Sequence, residues 1–221
     1  MQKIICFFVC FLFFAAVYAD QGIYTYAASG NIFFYSKNSD KVLQLTHNNK
    51  NSHPILSPNG RWLVFITKSH DIMPKSCADS TDLNGKYADE LWIYDLKTMK
   101  NRLFVKDHCS EEPTKMIVDP QDLSFSPDDK TLYFETSAWT TSGAIHAINV
   151  NGTHSRFVTD GNEYHVITHG KYKGDIVANQ HRYRFKGDTP LGSYDWDWLF
   201  TPQGKQIKLF DILPVMNDGD S

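Results

Sequence analysis

Cys77 and Cys109 are the two cysteines outside the apolar N-terminal run, and their chemistry depends on the compartment. In an oxidising one an isolated pair forms a disulfide, and closing the loop between them stabilises the fold by about 3–4 kcal/mol. His108 precedes Cys109, but no further Cys or His stands near either thiol at metal-ligand spacing, so the disulfide is the expected state. His165 and His169 would share a face of an extended strand but stand about 13 Å apart, too far for one metal ion unless the chain bends near Gly170. Asp195, Asp197, Glu111 and Glu112 are carboxylates of the kind that cleave glycosides in pairs. They lie in different segments, and sequence fixes no separation between them. No nucleophile elbow, phosphate loop or His-Glu zinc motif occurs. These residues predict a chain with no catalytic, metal or cofactor site.

Tyr194, Trp196, Trp198 and Phe200 alternate with Asp195 and Asp197, so on a strand the rings face one way and the acids the other. The rings predict packing between sheets, and the acids predict loop caps or Arg partners. A stacking platform for a sugar or a peptide is the alternative reading.

Positioning such residues falls to strands. No stretch repeats apolar residues at helical spacing, whereas short alternating or β-branched and aromatic runs recur between turn residues. The pattern predicts strands over 23–27, 31–36, 42–46, 54–56, 62–67, 90–96, 102–106, 122–126 and 131–136. Further strands are predicted over 145–150, 156–159, 164–168, 175–179, 194–200 and 206–210. Most links are of hairpin length, which predicts antiparallel meanders. The expected class is all-β.

Residues 1–19 read as a signal peptide: Lys3, an apolar run from Ile4 to Val17, and small residues up to Ala19 with cleavage before Asp20. The run is short for a bilayer span. Residues 20–221 then form one domain, expected to be periplasmic or secreted with no stable membrane span. Of the 22 basic residues only Lys3 lies in the leader, so 21 remain against 25 acidic ones, a net charge of −4 without a basic patch. That balance predicts no nucleic-acid partner.

Two segments repeat one design. Ser57-Pro58-Asn59-Gly60, Arg61 and the strand Trp62 to Thr67 parallel Ser126-Pro127-Asp128-Asp129, Lys130 and the strand Thr131 to Thr136. Proline presets the first central turn residue, Asn or Asp suits the second, and Gly60 or Asp129 follows where a positive φ is needed. Each such hairpin precedes another strand pair, and outermost strands begin near 42, 102, 156 and 206. The repeat predicts a small β-propeller of about four four-stranded antiparallel blades, a closed ring or an open arc. The first unit lacks its inner strand, which Ile212 to Val215 could supply.

At these Ser-Pro-Asn/Asp-Gly/Asp turns, with Leu45-Thr46, Pro54, Phe65, Tyr94-Asp95 and Phe134, the chain resembles the TolB-type β-propeller repeats of bacterial periplasmic proteins. The resemblance covers residues 30–160 and is weak beyond. It implies a non-catalytic module that binds or scaffolds a protein or peptide in the cell envelope or outside the cell. The alternatives are a small carboxylate-dependent hydrolase or lyase, or a carbohydrate-binding module.

Two insertions, 68–88 and 181–193, interrupt the link between second and third strands of their units. They are read as binding loops at one face, with His70, Asp71, Met73, His181, Arg182, Tyr183 and Arg184 as candidate contacts. A Cys77–Cys109 bridge would pin the first insertion to the connection that follows.

Overall fold

The Ser-Pro turns fold as their residue types require. Ser57 and Ser126 each use the hydroxyl twice: it accepts the N–H of Trp62 at 2.9 Å or of Thr131 at 3.0 Å, and it donates to Asn59 or Asp128. The Asn59 and Asp128 side chains accept the N–H of Arg61 and Lys130. Gly60 has φ 69° and Asp129 has φ 62°, the left-handed conformation that closes each turn. The two turns also touch, since the Asn59 N–H donates to Asp129 Oδ1 at 2.7 Å.

The structure is a computed structural model that describes residues 22–72, 87–139 and 141–210. Within them fourteen strands follow one another antiparallel: β1 (Ile23–Ala28), β2 (Asn31–Ser36), β3 (Lys41–Gln44), β4 (Asn51–Leu56), β5 (Trp62–Ile72), β6 (Tyr87–Asp95), β7 (Lys100–Val105), β8 (Gln121–Phe125), β9 (Thr131–Ser137), β10 (Gly143–Asn149), β11 (Arg156–Val166), β12 (Ile176–Lys186), β13 (Thr189–Phe200) and β14 (Gln206–Leu209). The only helical element among the described residues is a single 3-10 turn at Pro113–Lys115. The class is all-β, as the periodicity predicts.

Hydrogen bonding groups the strands into three sheets: β1–β3, β4–β7 and β8–β14. Separate strands over 156–159 and 164–168 are the expectation, but β11 is continuous. Its first half pairs with β10 as far as Gly161, and from Asn162 it pairs with β12. Gly161 makes the switch, at φ 148°, where a Cβ would stand 2.8 Å from the Asn179 carbonyl. The seven-stranded sheet therefore curls, and its halves pack on each other.

Among the described residues, side chains form cores between successive layers. Ile32, Leu56, Leu63 and Phe65 fill the space between the first sheet and β4–β7. Val64, Ile66, Leu91, Phe125, Leu132 and Phe134 fill the next. Tyr133, Ile145, Val158, Tyr164, Ile176 and Phe200 fill the space within the curl. Strands β5 and β9 are consequently buried on both faces, because a layer lies against each side.

The Leu45-Thr46 element does its work through the Thr46 hydroxyl. That oxygen accepts the Ile32 N–H and the Asn51 amide, each at 2.9 Å, while Asn51 also donates to the Gly30 carbonyl and accepts from Thr67 at 2.8 Å. Asn51 is buried, so it ties the first sheet to the second. Asn51→Ala leaves several buried polar groups without partners and is expected to cost about 2–3 kcal/mol, read as a lower urea midpoint.

Candidate functional site

In an antiparallel meander the start of the first strand, the link between second and third strands and the exit of the fourth all lie at one end. The Ser-Pro turns lie at the other end. One face therefore collects the starts of β4 and β8, the second half of β11, the end of β5 with the start of β6, the β12–β13 turn, and the connection 106–120.

The described parts of both insertions extend hairpins. Residues 181–193 are a correction to the loop reading: β12 and β13 pair from Ile176↔Phe200 to Lys186↔Thr189, with one register shift between Arg184 and Phe185, and turn at Gly187-Asp188. His181 and Arg182 face Asp195 and Tyr194, Tyr183 and Arg184 face Ser193 and Gly192, and Gly187 at φ 58° permits the tight turn. Likewise β5 runs on through His70 and Asp71 to Ile72, which pairs with Tyr87. Met73 and Cys77 lie outside the described residues, and with them the proposed bridge; Cys109 is half-buried in the 106–120 connection. Residues 212–215 also lie outside them.

The β12–β13 arm has two distinct sides. On one, Arg182 lies 3.8 Å over the Trp198 ring and donates to Gln180 and, at 2.7 Å, to Gln206. Tyr194 and Trp196 meet edge to face at 4.9 Å beside it. On the other, His181 pairs with Asp195 at 2.8 Å and touches Tyr183 edge to face at 5.1 Å, while Asp197 accepts from Asn179. The expected burial of the aromatic row holds only at its base. Phe200 is buried and Trp198 half-buried, but Trp196 is 49% exposed, because the arm has run past the layer that covers the core. Tyr183 and Phe185 are 63% and 62% exposed, and Arg184 is also exposed. The acids pair with His181 and Asn179, where Arg partners or loop caps are expected.

The remaining candidates stay apart. His165, next to the last residue of β11, meets the Phe210 ring edge to face, and His169 lies beyond that strand in the following turn, bonded to Thr168. Glu112 pairs with Lys115 at 2.8 Å in the 106–120 connection, next to Glu111. Among the described residues no three His, Cys, Asp or Glu side chains are grouped to hold a metal ion.

At the centre of the same face lies a feature the sequence reading missed. Each of the three inner strands carries a bulge at the same register, between Ser52 and Ile55, Gln121 and Ser124, and Asn162 and His165. In each the first bulged residue is left-handed: His53 at φ 48°, Asp122 at 48° and Glu163 at 49°. All three side chains are exposed. Tyr164 reaches from one bulge to the next, its hydroxyl donating to the Asp122 carbonyl at 2.5 Å. Beneath them Glu135 is 5% exposed. Gln121 donates to its Oε1 at 3.3 Å, and Oε2 has no hydrogen-bond partner. Burial foremost, then the nearby Asp122 charge, pushes the Glu135 carboxyl up to about 7. The signal available in sequence was its phase: Glu135 occupies the place that Ile66 holds in the matching repeat.

No protein-family model matches the chain, and no curated protein matches it. Solved structures do. The dipeptidyl peptidase 4 of Porphyromonas gingivalis aligns with a TM-score of 0.62 and 10% identity, over 90% of this chain and 32% of the other. The β-propeller domain of the Trilobed protease from Pyrococcus furiosus aligns at 0.50 and 12%, over 86% and 52%. TolB from Acinetobacter baumannii aligns at 0.50 and 14%, over 85% and 39%. The chain thus spans from about a third to a half of these structures. Identities this low make the likeness one of fold, and the fold it shares with them is a β-propeller arrangement.

Proposed function

We propose that this chain is an exported, TolB-like propeller module of four blades that binds a protein or peptide of the cell envelope, without catalysis, through the face bearing the two arms. The fourth blade in this reading is the second half of β11 with β12–β14, and the first is β1–β3 without an inner strand. Placement outside the membrane accords with the described residues, where no helix is long and apolar enough to cross one. The observation that carries the binding reading is the β12–β13 arm. A hairpin that projects beyond its layer loses packing for its aromatic rings, and Tyr183, Phe185 and Trp196 stay in water instead. Exposed aromatics beside Arg182, Arg184 and Lys186 are the composition of a protein contact.

The test is retention of the envelope partner by the full chain. Tyr183→Ser with Phe185→Ser is expected to weaken retention about tenfold or more while leaving the urea midpoint within about 0.5 kcal/mol. Unchanged retention by this variant and by one with residues 73–86 replaced would overturn the reading.

A second reading, carboxylate-dependent hydrolysis, is favoured by Glu135 alone, an acid held near neutrality beside Asp122 and Glu163. Its signature is turnover of a glycoside or peptide that Glu135→Gln abolishes.

A further inference from the structure

The turn-bearing face, opposite the arms, holds a cleft of about 630 Å³ within the curl of the seven-stranded sheet. Its origin is legible in the repeat. In the β4–β7 layer, Trp62 and Phe104 close the corresponding end against the next layer, with Arg61 stacked on the indole at 4.4 Å. At the matching positions the β8–β11 layer has Thr131 and Val158. Two large side chains are thus replaced by small ones, and Tyr133, Arg156, His154, Lys173 and Pro202 line the space that remains.

The wall chemistry is cationic and donating. Arg102 of the earlier repeat is exposed and donates to the Val150 carbonyl of the neighbouring layer at 2.8 Å. Arg156, its counterpart, makes the same tie to the Pro202 carbonyl at 2.9 Å and reaches the His154 carbonyl at 3.3 Å. Unlike Arg102 it is partly buried, and its Nε is out of water with no acceptor. Neither Arg156 nor Lys173 joins any ion pair among the described residues. Asp128, the carboxylate on this wall, is engaged by Ser126 at 2.7 Å and by Lys130 at 3.4 Å. A guanidinium held by neutral carbonyls alone, next to a free ammonium, is short of negative charge.

We propose that this cleft is a binding site for a small ligand carrying a carboxylate or phosphate group, held between Arg156 and Lys173 with the Tyr133 hydroxyl as a further donor. It is independent of the partner face, because every lining turn lies at the other end of the strands.

Isothermal titration of the full chain with citrate and with inorganic phosphate, at constant ionic strength set by sodium chloride, tests it. Saturable binding of either anion is expected; citrate alone identifies a carboxylate ligand, phosphate alone a phosphate ligand. Thr131→Trp, which restores the residue that closes the other repeat, and Lys173→Ala, at the mouth of the cleft, are each expected to weaken binding by about tenfold or more. Both keep the tie from Arg156 to Pro202, so folding is preserved, and Arg156→Gln adds the larger loss. Absence of binding by both anions, or unchanged affinity in Thr131→Trp and Lys173→Ala, overturns the proposal.

Discussion

Glu135→Gln is expected to make the protein about 3 kcal/mol more stable at pH 8 and to leave it nearly unchanged at pH 4. The carboxyl titrates at about 7 in the folded chain against an ordinary 4.5, so the folded state holds the proton more tightly than the unfolded one. Below pH 4.5 both states are protonated and nothing is lost. As pH rises from 4.5 to 7 the unfolded state ionises while the native state still holds its proton, so stability falls, and the full penalty persists above 7. Burial is the first cause; Asp122 from β8 and Glu163 from β11 add repulsion, while the Gln121 amide and the Glu163 backbone N–H offset part of it. Glutamine keeps the acceptor that Gln121 uses and places a donor where Oε2 had none. Urea unfolding at pH 4 and pH 8 measures the effect. A variant no more stable than the parent at pH 8 would mean that the carboxylate is solvated or neutralised by a cation.

His146→Phe is expected to act at the opposite end of the same pH window. His146 is 2% exposed, bonded through Nε2 to Thr136 at 3.1 Å and set among the rings of Phe134 and Phe157, with no carboxylate partner. Burial lowers its titration to about 4 from an ordinary 6.5. The unfolded chain therefore takes up the proton first, and stability falls by about 3 kcal/mol as pH drops from 6.5 to 4. Phenylalanine keeps the ring contact, and Thr136 retains the Met116 carbonyl as an acceptor. The variant should gain about 3 kcal/mol at pH 4 relative to its own change at pH 8. Because Glu135 and His146 lose stability in opposite directions over one window, these two groups leave the parent profile nearly flat from pH 4 to 8. Each single variant tilts it, and the double variant flattens it again. The same difference in urea midpoint between parent and His146→Phe at pH 4 and at pH 8 would contradict this.

The strand order was legible in sequence because alternation and turn chemistry are local. Ser57 to Gly60 and Ser126 to Asp129 specify their turns through side chains that bond within the turn itself. The curled sheet was not legible, since the fusion of two expected strands into β11 depends on Gly161 standing against Asn179, a contact distant in sequence. The arm was misread for a related reason. Residues 181–193 look like an insertion between the second and third strands of one unit, and only the pairing of His181 with Asp195 and Arg182 with Tyr194 shows a continued hairpin. The axial bulges were hidden because His53, Asp122 and Glu163 share a conformation and no residue type. Side-chain identity does not encode that equivalence; the ladder offset does.

The most direct test of the proposed partner face uses a photo-crosslinking residue at Tyr183 on the arm and, separately, at Gln203 on the opposite face, in cells that express the full chain. A discrete protein adduct from position 183, and none from position 203, is the predicted result. An adduct from position 203 with none from position 183 would contradict the assignment of the arms as the docking face.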